Sequence, residues 1–159
     1  MATGALITPD RYLATHFERE PEFVHGELVE KSLPNKKHGR TQQRLCVLLD
    51  RAGYGCTEVR MKLAEDLFRI PDFAMFEREP EEQLPTSPPL LIVEINSPDD
   101  RVNDVEKKLE EYRAWGVAHI WFVEPELKKL YVYERGLVNV QQLDLPQFNL
   151  TIMAPELFV

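Results

Sequence analysis

Along the chain, the spacing of apolar residues switches between a helical and a strand period, and each switch marks an element. Leu45, Leu48, Leu49 and Ala52 recur at helical spacing between Lys36 and Ala52, which predicts a helix closed by Gly53 in a left-handed conformation. Val59, Met61 and Leu63 alternate with polar residues and predict a strand over Thr57 to Leu63 with those three inward. Further strands are predicted over Ile70 to Phe76 and Leu90 to Asn96, and the continuous apolar run of the second suits a central strand. Val105, Leu109 and Tyr112 share one helical face, and Asn103 with Glu106 has the pattern of a capping box, so a helix is predicted up to Trp115 with Gly116 as its stop. His119 to Glu124 and Lys129 to Glu134 form a closing strand pair. Ahead of these, Thr8-Pro9-Asp10 opens a short helix ending near Phe17, and Glu22 to Lys31 suits a hairpin turning at His25-Gly26. The proline- and glutamate-rich stretch Glu77 to Pro89 reads as a surface loop. Helix, hairpin, helix, three strands, helix and strands together predict an α/β fold, a mixed β-sheet flanked by helices.

A chain of 159 residues suits a single domain over 1–159. At this length roughly 68 to 70% of the unfolded surface can be buried, so no disulfide or structural metal is needed. No apolar stretch approaches the roughly 20 residues of a membrane span, and the first twenty residues show no secretory pattern, so a cytoplasmic protein is expected. Cys46 and Cys56 lack the partners of a zinc site and are expected in the reduced interior. The net charge is −8, yet Lys31 to Lys62 holds eight basic residues against two acidic ones, a local +6 that leaves −14 elsewhere. This argues against an indiscriminate polyanion binder and leaves room for one phosphate-facing patch, or else a solvated helix face.

Candidate chemistry gathers in the middle of the chain. Asp72 follows Pro71 in an apolar stretch, and Glu94 interrupts the run Leu90 to Ile95, where an unpaired carboxylate would cost several kcal/mol. A divalent cation between the two would keep both ionised, and oxygen ligands select magnesium, manganese or calcium. Lys108, in the following helix, could then position or help deprotonate an attacking water and stabilise charge on a phosphate. Equally open is a structural arrangement, with Glu94 paired to Lys108 or an arginine and Asp104 to Lys108 as an ordinary helix pair. Neither a Ser-His-Asp nor a Cys-His arrangement can be argued.

Six pieces of the chain, in order, carry a resemblance. They are Glu22 to Val29, His38 at the start of the second helix, Arg69-Ile-Pro-Asp72, Pro89 to Pro98, Asp104-x-x-x-Lys108-x-x-x-Tyr112, and Gly116 to Pro125. Over roughly Tyr12 to Tyr133 the chain resembles the Uma family of endonuclease-like proteins, within the PD-(D/E)XK restriction-endonuclease-like superfamily. The resemblance implies a restriction-endonuclease-like core, Asp72 and Glu94 as ligands of magnesium or manganese, and DNA as the substrate. Asn96 stands where the superfamily's lysine would follow the second acid, so the resemblance assigns that lysine's role to Lys108. It also makes Glu22 an acidic neighbour of the metal site and His38 a polar residue at its rim. The family often has aspartate at the positions of His25 and Glu124, neither a core ligand.

On this reading Lys36, Lys37, Arg40 and Arg44 would meet the nucleic-acid backbone. The alternative is a silent module that keeps the nuclease fold for self-association or for binding a partner protein or nucleic acid. The apolar residues of the closing strands and of Pro155 to Val159 would suit a homodimer interface, or simply the core.

Overall fold

The structure, a computed structural model, describes residues 6–159; residues 1–5, part of the segment searched for a leader, lie outside the described residues. α1 (Pro9–Ala14) begins as predicted, with the Thr8 side chain accepting from the Arg11 amide at 3.2 Å. It stops before Phe17 because Thr15 turns extended and its hydroxyl bonds back to the Arg11 carbonyl at 2.6 Å. β1 (Glu22–Val24) and β2 (Glu27–Val29) form the predicted hairpin, and His25 and Gly26 both have positive φ, 50° and 92°. That two-residue turn has the twist of the strands it joins. β1 continues onto β5 (Leu67–Arg69), which pairs with β4 (Met61–Ala64), so the small antiparallel sheet runs β2-β1-β5-β4. Tyr12, Phe23 and Phe68 form its buried aromatic cluster.

The larger sheet runs β10-β9-β8-β7-β6-β3, from β3 (Tyr54–Cys56), β6 (Phe73–Phe76), β7 (Leu91–Ile95), β8 (His119–Glu124), β9 (Lys129–Tyr133) and β10 (Leu137–Val140). β7 is central, as its apolar run predicts, and it is parallel only to β8, to which α3 (Val102–Trp115) carries the chain. Alternation along β7 divides the core. Leu91, Val93 and Ile95 pack with Leu45 and Leu49 of α2 (Lys36–Leu49), whereas Ile92 packs with Leu109 and Tyr112 of α3. The two helices therefore lie on opposite faces of one mixed sheet, the α/β arrangement expected.

Several expectations are corrected. The predicted strand Ile70 to Phe76 is two things: Ile70-Pro71-Asp72 carries the chain from the small sheet to the large one, and only Phe73–Phe76 is strand. Pro71 has no amide hydrogen to offer either ladder. The strand predicted from Thr57 starts only at Met61, since Glu58 has a φ of 55°. Gly53 is not left-handed; a Cβ there would lie 2.2 Å from the Phe76 carbonyl oxygen, so close approach of β3 to β6 requires the glycine. α3 starts at Val102 with Arg101 as its N-cap and no side-chain cap bond, so the Asn103 box does not form, while Gly116 caps its end at φ 110°. Cys46 is exposed and Cys56 half-buried, not interior.

Beyond β9 the pattern predicts no element, yet β10 follows it in the large sheet. β11 (Gln142–Leu145) and β12 (Leu150–Met153) form a hairpin leading to α4 (Ala154–Leu157). Leu143, Leu145, Ile152 and Leu157 turn into the core on the α2 side, so these C-terminal apolar residues pack within the chain itself. Among the described residues no helix is long and apolar enough to cross a membrane.

Candidate active site

Strand alternation fixes the direction of Glu94. It shares a face with Ile92 and so points towards α3, where Lys108 and Tyr112 stand one turn apart. Both reach the same oxygen: Lys108 Nζ lies 2.9 Å from Glu94 Oε1, and the Tyr112 hydroxyl donates to it at 2.7 Å. Register brings in Asp72. Phe73 pairs with Val93 and Ala74 with Ile92, so the next position along the antiparallel pair sets Asp72 opposite Glu94. The Ile95 amide fixes it there, donating to Asp72 Oδ2 at 2.7 Å.

Glu22, at the start of β1, joins from the small sheet. Its Oε1 accepts from the Ile70 amide at 2.9 Å and lies 2.8 Å from Lys108 Nζ, while Oε2 accepts from Arg69 Nη1 at 3.0 Å. Arg69 turns its other edge to Glu111 at 2.7 Å. On the opposite side of Asp72, Lys31 Nζ lies 3.0 Å from Oδ1 and 2.7 Å from Glu58 Oε2, and His38 Nε2 lies 3.3 Å from Oδ2. Gln42, one turn after His38 on α2, donates to the Asp72 carbonyl at 2.8 Å and to Glu58 at 3.1 Å.

These contacts set the charge states. Burial pushes the Glu94 carboxyl up to about 7, with Lys108 opposing and the nearby Asp72 charge reinforcing the shift. Burial would also raise Asp72, but the His38 hydrogen bond and the Lys31 and Lys108 charges overcome it and hold the carboxyl well below its ordinary value. Glu22 is likewise lowered, because Lys108 and Arg69 outweigh its burial. Burial disfavours the charged form of Lys108, yet Glu22 and Glu94 keep its value above the ordinary lysine range. His38 is raised as well, its bond to Asp72 outweighing burial, and its Nδ1 is buried without a partner.

The group opens on a cleft of about 610 Å³ at the junction of the two sheets. Five of the residues singled out in the sequence meet there: Asp72, Glu94, Lys108, Glu22 and His38. Asp104 lines the same cleft, but Lys108 takes Glu22 and Glu94 as partners. The basic residues of α2 lie elsewhere. Arg44 donates to the Glu156 carbonyl of α4 at 3.0 Å, Arg40 to the Val159 carbonyl at 3.4 Å, and Lys37 pairs with Glu126 at 2.6 Å. The arginines on the cleft wall are Arg19, Arg69 and Arg101. Lys36, exposed in the first turn of α2, is also absent from that wall.

The sequence pattern does not single out Lys31, Glu58 or Gln42 as site residues. Gln42 shared helical spacing with His38, which was a usable signal; Lys31 and Glu58 sit beyond an exposed strand and in a turn, where the pattern carries none. Among the described residues no three His, Cys, Asp or Glu side chains are grouped as a metal site.

The geometry can be set beside known proteins. No match was found among curated proteins. Among solved structures the chain is similar to "a putative nuclease belonging to DUF820 from Anabaena variabilis ATCC 29413", at 23% identity and a TM-score of 0.79 over 96% of this chain and 97% of that one. That likeness establishes the fold. A family model, Uma2, described as "Putative restriction endonuclease", matches residues 10–159. With nearly the whole length matched, the chain belongs to the Uma2 family.

Proposed function

We propose that this protein is a metal-dependent nuclease that hydrolyses phosphodiester bonds in DNA. The observation that carries the reading is Asp72 set opposite Glu94 across β6 and β7, with Lys108 on Glu94, in an open cleft. The donor set fits a hard divalent cation such as magnesium or manganese. Tyr112 and Lys108 both hold Glu94 Oε1, and among the described residues no hydrogen bond is made to Oε2. Two carboxylates with the remaining positions left to water and phosphate is the usual manner of holding magnesium at a phosphate. Bound there, the ion would lower the pKa of a water and neutralise charge developing on the phosphate.

The chain's own residues supply the rest. Tyr112 and the Ile95 amide orient the two carboxylates, so little reorganisation is required when they act. Lys108 stands at Glu94 with its proton firmly held, which suits orienting a water and stabilising phosphate charge better than removing a proton. Arg69 fixes Glu22, and Glu22 fixes Lys108. Arg19 and Arg101 on the cleft wall are placed to meet the nucleic-acid backbone. Lys36, exposed two residues beyond the wall residue Pro34, would add one charge beside that surface, whereas Lys37 is held by Glu126.

One observation favours a second reading, the silent module. The cleft wall carries nine acidic against five basic side chains, a formal −4 that opposes a polyanion. The experiment that separates the readings is a duplex cleavage assay in magnesium or manganese, run beside calorimetric titration of manganese. Asp72→Asn and Glu94→Gln should abolish cleavage and weaken metal binding while circular dichroism stays unchanged. Cleavage equal to wild type in both variants overturns the proposal, and a wild type that neither binds metal nor cleaves supports the silent module.

A further inference from the structure

β2 is exposed along its length, yet Lys31, two residues beyond it, turns inward until its side chain is only 14% exposed. Its ammonium lies between Asp72 Oδ1 and Glu58 Oε2, at 3.0 and 2.7 Å. A cation thus already sits against Asp72, where the proposed metal would bind. The two lysines of the cleft are not equivalent. Lys108 lies between Glu22 and Glu94, both enclosed, and its departure would leave two buried carboxylates short of a partner. Lys31 lies between Asp72 and Glu58, and Glu58 is 47% exposed, so water can replace the ammonium there. Only Asp72 would lose a buried partner, and a divalent ion on that carboxylate more than restores the charge.

We propose, building on the metal-dependent reading above, that Lys31 is a second catalytic lysine. In the metal-free protein it neutralises Asp72. When a divalent ion takes Asp72, the ammonium leaves that carboxylate and binds a phosphate oxygen of the nucleic acid in the same cleft.

The test is calorimetric titration of manganese into wild type, Lys31→Met and Lys31→Arg, with circular dichroism on each. An ammonium 3.0 Å from a ligand oxygen competes with the metal, so Lys31→Met should bind manganese on the order of tenfold more tightly, and Lys31→Arg no more tightly than wild type. In duplex cleavage at saturating manganese, Lys31→Met should lose on the order of tenfold in kcat. Damage to the fold would lower both quantities, whereas the proposal requires them to move in opposite directions. Lys31→Gln, neutral but still able to bond both carboxylates, gives the same comparison if the methionine variant fails to fold. Manganese binding by the neutral variants that is equal to or weaker than wild type overturns the inference and leaves the metal site standing. Tighter binding with unchanged kcat overturns its phosphate half. If no form binds manganese, the metal-dependent reading fails and this inference fails with it.

Discussion

Glu94 is enclosed between the large sheet and α3, and the ammonium that serves it is shared with Glu22. Half a partner does not offset the loss of water around the carboxylate, so Glu94 keeps its proton up to about 7, well above its ordinary 4.5. For stability the sign is adverse: the folded chain prefers the protonated acid, so Glu94 detracts increasingly as pH rises from about 4.5 to about 7. Asp72 and Glu22 act the other way. Their folded values lie below the ordinary ones, so their contribution is present at neutral pH and lost as pH falls through those lowered values. A metal on Glu94 must displace its proton, so manganese affinity should fall about tenfold per pH unit below about 7. Calorimetry at several pH values reads that slope, and an affinity flat from about pH 5.5 to 7.5 would show that the metal displaces no proton from Glu94. Both acids were legible in the sequence for one physical reason, that a carboxylate amid apolar residues demands a partner. Tyr112 was legible as a core residue, but its hydroxyl on Glu94 was not, because the Asp104-Lys108-Tyr112 spacing does not say which strand α3 covers. Lys31 stayed hidden because a lysine after an exposed strand looks like any solvated one.

Elements were legible where one period ran long enough, and not where the chain changes sheets. α2, α3 and β7 follow their apolar spacing, since each buries a stripe or a face against the same core. The stretch Leu67 to Phe76 is apolar almost throughout and gives no sign that its first part joins the small sheet and its last part the large one. That switch at Ile70-Pro71-Asp72 is what delivers the buried Asp72 to the cleft, so a join that the pattern does not reveal also builds the site. Gly53 is a second such join. A helix-stopping glycine and a glycine demanded by close approach look alike in sequence, but they respond differently to substitution. Alanine at a position that is not left-handed would usually be tolerated, whereas here its Cβ would meet the Phe76 carbonyl oxygen at 2.2 Å. Gly53→Ala should therefore force β3 away from β6 and cost about 2 kcal/mol, lowering Tm by about 4 to 8 °C. A thermal melt equal to wild type would show that the β3 edge yields freely.

For the molecule as a whole, charge would decide when the cleft accepts the DNA of the proposed reaction. The chain carries −8 overall, and the cleft wall concentrates the same sign, with five basic side chains among nine acidic ones. Three of the five, Lys31, Arg69 and Lys108, are already committed to carboxylates, so Arg19 and Arg101 are the wall's remaining attraction for a phosphate backbone. The basic residues of α2 offset this little, because Arg40 and Arg44 hold the C-terminal segment and Lys37 holds Glu126. A divalent ion at Asp72 and Glu94 would cancel half of the wall's formal −4 at the point where a phosphate must come closest. Metal and DNA should consequently bind with positive coupling, each raising the affinity of the other by the same factor. In fluorescence anisotropy with a short duplex at about 0.15 M salt, where screening reaches about 8 Å and leaves close contacts intact, wild type in a chelator should bind at least about tenfold more weakly than in manganese, a coupling of about 1.4 kcal/mol. The double variant Asp72→Asn, Glu94→Gln should lose that response: its wall is less negative by the Asp72 charge and by whatever charge Glu94 carries, so its metal-free binding should equal or exceed that of wild type. Equal wild-type affinity with and without manganese would mean that DNA binds without help from the carboxylate pair, leaving the wall's negative charge as a barrier that other surfaces overcome.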